Sequence, residues 1–172
     1  TGSPNPLIMD PSVLIDSMRL IKNKAEIDLI QNAIDISAKG FLKALENTSV
    51  GKYEYEIQEI LEMEFRMSGA KRNGYPSIVA SGKNSCILHY VSNNKVLEKD
   101  SLILIDAGSE WDYYSADITR TWPINKKFTG EQKEIYEIVL QANNNAIQEC
   151  KVGNSINDPH VMALNTIIDG LK

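Results

Sequence analysis

The stretch LILIDAGSEWDYYSADITRTWP, residues 102–123, constrains the fold of this chain more than any other part of the sequence. It contains two short runs rich in apolar and β-branched residues. Between them lies a polar segment that includes Gly108, Ser109 and Asp112. β-Branched residues favour strands, and small polar residues favour turns. The pattern therefore predicts an antiparallel hairpin.

Each run carries one aspartate that a strand pattern does not require, Asp106 in the first and Asp117 in the second. Side chains on one face of an antiparallel pair approach within about 5 Å, so the two carboxylates can converge. Two bare carboxylates about 4 Å apart repel by roughly 4 kcal/mol at an effective dielectric constant near 20. A fold that brings them together therefore needs a cation, a shared proton or some separation of the two groups.

Two interpretations of the aspartate pair are open. Each aspartate can simply end a strand or a turn and accept hydrogen bonds from nearby backbone N–H groups. Alternatively, because Asp is depleted within strands, the pair indicates a hard oxygen site for Mg²⁺, Mn²⁺ or a similar ion, with a bridging carboxylate if two ions bind. Such a site needs more than two ligands, and no acidic cluster in the sequence obviously completes it.

Composition limits the class of protein. With 172 residues, of which 42% are hydrophobic and 24% charged, the chain is expected to form one soluble globular domain. The net charge of −5, with both signs mixed, argues against a nucleic-acid partner, and no apolar run is long enough to span a membrane. Two isolated cysteines, Cys86 and Cys150, favour a reducing compartment, so we expect a cytoplasmic protein. Residues 1–17 are interpreted as a linker stub or cloning remnant ahead of a domain over residues 18–172.

Periodicity predicts an α+β fold. Apolar residues at helical spacing predict helices over residues 24–46 and 54–68, and a capping box that starts at Thr129 predicts a third long helix. Residues 75–80 and 86–91 have the composition of strands. The elements therefore alternate between helices and short strands in one domain.

A short echo indicates an internal repeat. Val50 and Gly51 lie between the first two predicted helices, and Val152 and Gly153 lie between the third helix and a last helix that begins near Asp158. The order helix, Val-Gly, helix, strands is followed by helix, Val-Gly, helix, and then nothing. We therefore expect a two-fold repeat whose second copy is cut off.

Four further residues are candidates for a site or for ordinary structural roles. His89, in a predicted strand, is either a hydrogen-bonded core residue or a group that transfers a proton or holds a substrate carbonyl. Tyr75 is either a core residue or a hydrogen-bond donor to a carboxylate. Thr119 follows Asp117 by two residues and so shares its face, which makes it a candidate to support a metal ligand. Asn84 is expected in a turn.

Five segments together resemble one family of enzymes. The sequences YPSIVASGKN, ILHY, LIDAG, DITRTWP and FT are similar in order and spacing to those of aminopeptidase P, the Xaa-Pro aminopeptidase branch of the pita-bread metallopeptidases. They occupy residues 75–84, 87–90, 104–108, 117–123 and 128–129. The resemblance runs from about residue 18 to the end of the chain. It implies a partial pita-bread fold, with helices packed on a mostly antiparallel sheet.

The resemblance also implies a reaction and a set of roles. Aminopeptidase P uses two divalent ions, usually Mn²⁺, to hydrolyse the bond between an N-terminal residue and proline. By motif match, Asp106 and Asp117 would be metal ligands, with Asp117 bridging the ions. His89 would bind substrate or stabilise the tetrahedral intermediate, and Tyr75 would lie behind the ligands without touching the metal. The partner would be a peptide with proline at its second position, and homo-oligomer formation is left open.

The resemblance further implies that part of the site lies elsewhere. The family completes its metal centre with one histidine and two glutamates on later strands, and we expect this chain, which ends at Lys172, to be a fragment without them. The 172 residues alone are then expected to be inactive and to bind metal weakly. Local departures at residues 99–101 and 125–128 concern turn geometry only. Two rivals stay open, namely prolidase or another pita-bread hydrolase, and a metal-free peptide- or protein-binding module of the same fold.

Overall fold

Five helices and two small antiparallel sheets make up the computed structural model, which describes residues 10–172. The helices are α1 (Ser12–Leu20), α2 (Lys24–Asn47), α3 (Glu54–Met67), α4 (Gly130–Glu149) and α5 (Asn157–Gly170). The strands are β1 (Arg72–Asn73), β2 (Ile78–Ser81), β3 (Leu102–Ala107), β4 (Ser109–Trp111), β5 (Tyr114–Ser115) and β6 (Ile118–Pro123), and a 3₁₀ turn spans Gly82–Cys86. The predicted α+β class and the predicted helices are confirmed.

The predicted pairing of the two β-branched runs is also confirmed. β3 and β6 run antiparallel with Asp106 opposite Thr119, and β2 pairs with the other edge of β3, with Ile78 opposite Asp106. Successive side chains of a strand alternate between the two faces of its sheet. Ile103 and Ile105 are therefore buried in the main core, and Asp106 lies on the opposite face.

Packing of α2 and α3 against the sheet forms that main core. α2 buries a stripe that contains several small residues, and α3 buries an apolar stripe against it. The buried side chains of the two helices include Ala33, Ile36, Phe41, Ala44, Ile57, Leu61 and Phe65. The helices therefore cover one face of the sheet and leave the face with Asp106 free of them.

The connection between β3 and β6 is longer than the turn predicted from Gly108, Ser109 and Asp112. Residues 109–115 form a second hairpin, β4–β5, and β4 also pairs with β1. Asp112 and Tyr113 form its tip, where their φ angles of 45° and 70° match the two positive values of a type I′ turn. The sequence does not indicate this hairpin, because Asp-Tyr lacks the glycine that usually follows Asp or Asn in such turns.

The strand predicted over residues 86–91 is wrong. After the 3₁₀ turn the chain has no regular structure through His89, whose φ of 55° is left-handed. β3 is already paired on both edges, by β2 and by β6, so no place beside it is free. Ile87 and Leu88 are 54% and 92% exposed. The apolar composition that suggests a strand here belongs to an exposed loop.

Helix α1 (Ser12–Leu20) begins inside the stretch predicted as a linker, residues 1–17, and extends past its end. None of its residues is buried, and Leu14 and Met18 are 69% and 77% exposed. Residues 1–9 of the predicted linker lie outside the described residues, and the domain boundary at residue 18, which falls within α1, stays a prediction. No helix within residues 10–172 combines the length and apolar content of a membrane span.

The two Val-Gly segments share a backbone conformation. Gly51, between α2 and α3, has a φ of 92°, and Gly153, between α4 and α5, has a φ of 98°. Glycine adopts such positive angles far more readily than other residues. Each glycine joins two helices that pack against each other. The shared geometry supports the predicted repeat of helix, Val-Gly and helix.

Gly40 generates a prediction about the packing of α2 on α3. A Cβ atom at this position would lie 2.4 Å from Cε1 of Phe65 and 3.0 Å from the carbonyl oxygen of Leu61. We predict that Gly40→Ala lowers the free energy of unfolding by about 1–3 kcal/mol, because overpacking outweighs the gain in helix propensity. Urea denaturation measures the change. Gly130→Ala, at a position with open space around it, is the control and is expected to be neutral or slightly stabilising; equal behaviour of the two variants would contradict the prediction.

Candidate metal centre

Asp106 and Asp117 lie on the same face of the β3–β6 pair. Asp106 faces Thr119 across the ladder, and Asp117 immediately precedes β6, two residues before Thr119. Side chains two residues apart in an extended chain point to the same side. Asp106 is half-buried, and Asp117 is exposed. The fold thus brings the two carboxylates together, as the hairpin pattern predicts.

The hydroxyl of Tyr75 joins the two carboxylates. Its oxygen lies 2.5 Å from Oδ1 of Asp106 and 3.0 Å from Oδ1 of Asp117. A phenol has one proton to donate, so both carboxylates share a single donor. Burial, together with the hydrogen bonds to both aspartates, raises the pKa of Tyr75 well above its ordinary value of 10.0. The tyrosine therefore stays protonated at neutral pH and offsets part of the repulsion between the carboxylates.

A cleft of about 370 Å³ opens beside this pair. Its lining consists of Tyr75, Pro76, Ile78, His89, Val91, Asp106 and Asp117. His89 reaches this cleft from the irregular loop after the 3₁₀ turn, and its side chain is exposed. Four of the five predicted site residues therefore meet in one cleft.

Thr119, the fifth predicted residue, lies beside this group without joining it. It pairs with Asp106 across the ladder, but it is exposed and does not line the cleft. The hydrogen bonds that tie the two aspartates together come from Tyr75 and not from Thr119. A supporting role for Thr119 stays a prediction.

The donor set fits part of a site for a hard divalent cation. Carboxylate oxygens are the ligands that Mg²⁺ and Mn²⁺ prefer, and two of them converge here. An octahedral ion needs more donors than two aspartates supply. In the part of the chain that the structure describes, no three His, Cys, Asp or Glu side chains come together as a metal site. The described residues therefore offer two candidate ligands for such an ion, which is fewer than an octahedral site needs.

The predicted site residues omit Glu54, a fully buried carboxylate at the start of α3. It accepts hydrogen bonds from the N–H and hydroxyl of Ser81 at 2.7 Å each, the amide of Asn84 at 3.2 Å, the hydroxyl of Tyr90 at 2.8 Å and the N–H of Lys95 at 3.0 Å. Asn84 lies in the 3₁₀ turn, close to its predicted place, but its amide also donates to the Tyr90 hydroxyl. This buried network ties the loop that carries His89 to α3.

Sequence gives no sign of this network. A glutamate in the first turn of a helix is common, because it complements the helix dipole, so Glu54 looks like an ordinary surface residue. Burial acts to raise the pKa of Glu54, but the hydrogen bonds from Ser81, Lys95 and Tyr90 outweigh burial and hold the pKa below its ordinary value. The carboxylate is therefore ionised and fully hydrogen-bonded inside the protein.

Comparison with known protein families assigns the chain to one of them. A sequence model of metallopeptidase family M24 matches residues 28–172. The chain belongs to metallopeptidase family M24. Over 95% of its length it is 44% identical to the Xaa-Pro aminopeptidase of Haemophilus influenzae and 37% identical to that of Escherichia coli. This M24 chain spans 38% and 37% of the lengths of those two relatives.

Solved structures share the fold of this M24 chain. Aminopeptidase PepP of Pseudomonas aeruginosa matches with a TM-score of 0.92 at 43% identity, over 93% of this chain and 36% of that one. A variant of Escherichia coli aminopeptidase P in complex with substrate matches with a TM-score of 0.93 at 37% identity, over 95% of this chain and 37% of that one. The expected partial pita-bread fold is thereby confirmed.

We predict that the stabilisation by Glu54 depends on pH. Because its pKa is lowered in the folded chain, the ionised form favours folding above the ordinary pKa of 4.5, and this contribution is lost as pH falls through the folded value. Glu54→Gln places an amide NH₂ against buried donors, so the variant should lose about 2–4 kcal/mol of unfolding free energy at neutral pH.

Urea denaturation at a series of pH values tests this prediction. The difference in unfolding free energy between the unmodified chain and Glu54→Gln should become smaller as pH falls below 4.5, the ordinary pKa of Glu54. Glu59→Gln, at an exposed position on the same helix, is the control and should change stability little at any pH. A gap for Glu54→Gln that stays constant over the whole acidic range would contradict the account of the buried carboxylate.

Proposed function

We propose that this chain is part of the catalytic domain of a metal-dependent Xaa-Pro aminopeptidase, which hydrolyses the bond between an N-terminal residue and proline. The observation that carries the proposal is the meeting of Asp106, Asp117, Tyr75 and His89 in one cleft. Membership of family M24 and 44% identity to an Xaa-Pro aminopeptidase support it. Because the chain spans 38% of that relative's length, the activity is proposed for the whole protein, and the 172 residues alone are expected to be inactive.

Asp106 and Asp117 are the proposed metal ligands, with Asp117 bridging two ions. The convergence of their oxygens on one hydroxyl supports this assignment. When bound, the ions would favour ionisation of water and polarise the scissile carbonyl. Tyr75 would keep the carboxylates in place through its hydroxyl, and Thr119 would support Asp117 from the same strand.

His89 is the proposed contact to the substrate. It faces the cleft without joining the carboxylate pair, and an imidazole N–H can donate a hydrogen bond to a substrate carbonyl oxygen. The Xaa-Pro bond is a tertiary amide without an N–H, so proline has to be recognised by the shape of its ring. Apolar atoms of Ile78 and Val91 lie in the same cleft and provide surface of that kind.

Two Mn²⁺ ions are the proposed cofactor of the whole protein. The two carboxylates of this chain supply oxygen donors, which suit Mn²⁺. A zinc-substituted Escherichia coli aminopeptidase P in complex with product matches this chain with a TM-score of 0.93, which supports a divalent ion in this fold. With two carboxylates available, the 172 residues alone should bind Mn²⁺ weakly. Calorimetric titration of this chain that gives micromolar or tighter binding would contradict that expectation.

We further propose a cytoplasmic location. Cys86 and Cys150 are both free and exposed, which is compatible with a reducing compartment. Fractionation of cells that express the whole protein tests this, and recovery outside the cytoplasm would overturn it. Homo-oligomer formation stays open, and light scattering on the whole protein would measure it.

Of the two rival functions, a metal-free binding module is the less favoured. Such a module has no need for two carboxylates and a histidine at one cleft, and this chain has all three. Prolidase or another pita-bread hydrolase would share these residues. Hydrolysis of tripeptides as well as dipeptides with proline second would favour the aminopeptidase.

We predict that Asp106→Asn and Asp117→Asn each reduce Xaa-Pro peptidase activity of the whole protein by roughly 100-fold or more, since each removes a charged ligand worth several kcal/mol in the transition state. Hydrolysis of a tripeptide with proline at its second position, measured with added Mn²⁺, is the assay. Asp112→Asn is the matched control, because Asp112 lies at the exposed tip of the β4–β5 hairpin and asparagine tolerates its positive φ. Full activity in either site variant would overturn the proposed roles.

A further inference from the structure

The segment that carries His89 belongs to neither sheet. Residues 87–95 lead away from the 3₁₀ turn without helix or strand. Within them, His89 and Asn93 have φ angles of 55° and 44°, a region that residues other than glycine seldom adopt. Such conformations persist only where surrounding contacts enforce them. The position of His89 therefore depends on whatever fixes this loop.

Glu54 fixes the loop from inside the protein. Its carboxylate accepts hydrogen bonds from Ser81 before the loop, from Tyr90 within it and from Lys95 at its far end. Glu54 is 0% exposed, and hydrogen bonds to a charged acceptor are stronger than those between neutral groups. One buried carboxylate thus contacts the chain before the loop, within it and at its far end.

Tyr90 connects this anchor to the histidine, because it is the next residue along the chain. Its ring is 9% exposed and packs with Ile78, Ala80 and Leu104, on the face of the sheet that carries Asp106. Its hydroxyl donates to Oε2 of Glu54 at 2.8 Å. Ring packing and this hydrogen bond together hold Tyr90, the residue next to His89, against the protein.

We propose that Glu54 is a positioning residue for His89 and that it acts through the Tyr90 hydroxyl. The inference rests on the proposed function, since it gives His89 a task in the cleft. Glu54 itself does not line the cleft with the two aspartates, so it acts on the histidine and not on substrate. Its buried carboxylate keeps the loop in the place where the imidazole faces Asp106 and Asp117.

A second anchor holds the same loop farther along the chain. Asn93 accepts a hydrogen bond from the N–H of Val79 at 3.0 Å, and its amide donates to the carbonyl of Ser77 at 2.8 Å and to the side chain of Gln58 at 2.7 Å. Loss of the Tyr90 hydroxyl should therefore loosen the histidine while the end of the loop stays attached. This separation makes the proposal testable without unfolding the chain.

Two variants test the proposal that Glu54 positions His89. Tyr90→Phe and Ser81→Ala each remove one hydroxyl that donates to Glu54, at 2.8 and 2.7 Å. Tyr90→Phe also removes the acceptor of the Asn84 amide, and only Tyr90 adjoins His89. The readout is the imidazole ring signal in ¹H–¹³C NMR spectra of the 172-residue chain. The sequence has two histidines, so His160, on α5, serves as an internal reference.

We expect both variants to lower the melting temperature by a similar amount, and only Tyr90→Phe to shift and broaden the His89 signal. The His160 signal should not change in either variant. A general loss of stability would alter the His89 signal equally in both, and that result would overturn the proposal. An unchanged His89 signal in Tyr90→Phe would overturn it as well.

Activity of the whole protein separates this proposal from the proposed function. Tyr90→Phe should lower kcat/KM for a proline-second tripeptide by about tenfold, as expected when a supporting hydrogen bond is lost. His89→Ala is assayed beside it. If His89→Ala keeps full activity, the proposed role of His89 is wrong, and the NMR comparison still decides whether Glu54 positions it. If only Tyr90→Phe keeps full activity and its His89 signal is unchanged, the positioning alone is wrong.

Discussion

The antiparallel ladder between β3 and β6 is the constraint on which the rest of the site depends. Ile103 and Ile105 are 0% exposed in the core, and Asp106 lies on the other face because strand side chains alternate. A slip of one residue would turn Asp106 into the core and Ile105 out of it, so burial of the apolar residues enforces the register. The same register sets Asp117 beside Asp106. Packing of the core thus places the carboxylates.

The electrostatic repulsion between two neighbouring carboxylates has to be offset by a positive charge or by a proton. Tyr75 provides a hydrogen-bond donor to both, and its raised pKa keeps that proton in place at neutral pH. A neutral donor reduces the repulsion only in part, which leaves a site of negative potential next to the cleft. A bound divalent cation would offset the remaining repulsion between the two carboxylates. The fold of the chain is linked to the proposed chemistry in this way.

Much of the fold and of the candidate site could be predicted from local sequence patterns, because the helices and the β3–β6 pair follow from hydrophobic periodicity. Convergence of Asp106 and Asp117 follows from the same alternation. The loop with His89 could not be predicted, because its apolar composition is typical of a strand. Its hydrogen bond to Glu54 joins residues that are distant in sequence. The β4–β5 hairpin could not be predicted either, because its turn residues, Asp112 and Tyr113, do not include the usual glycine. Long-range side-chain hydrogen bonds leave no periodic trace in a sequence.

We propose that Asp106 and Asp117 are ligands of a two-ion centre. The most direct measurement is an anomalous difference map from crystals of the whole protein grown with Mn²⁺. We predict two peaks beside the carboxylates, both in contact with Asp117 and at least one in contact with Asp106, and their loss in Asp117→Asn. A map with no peak beside either aspartate, or with peaks held only by other residues, would contradict the account.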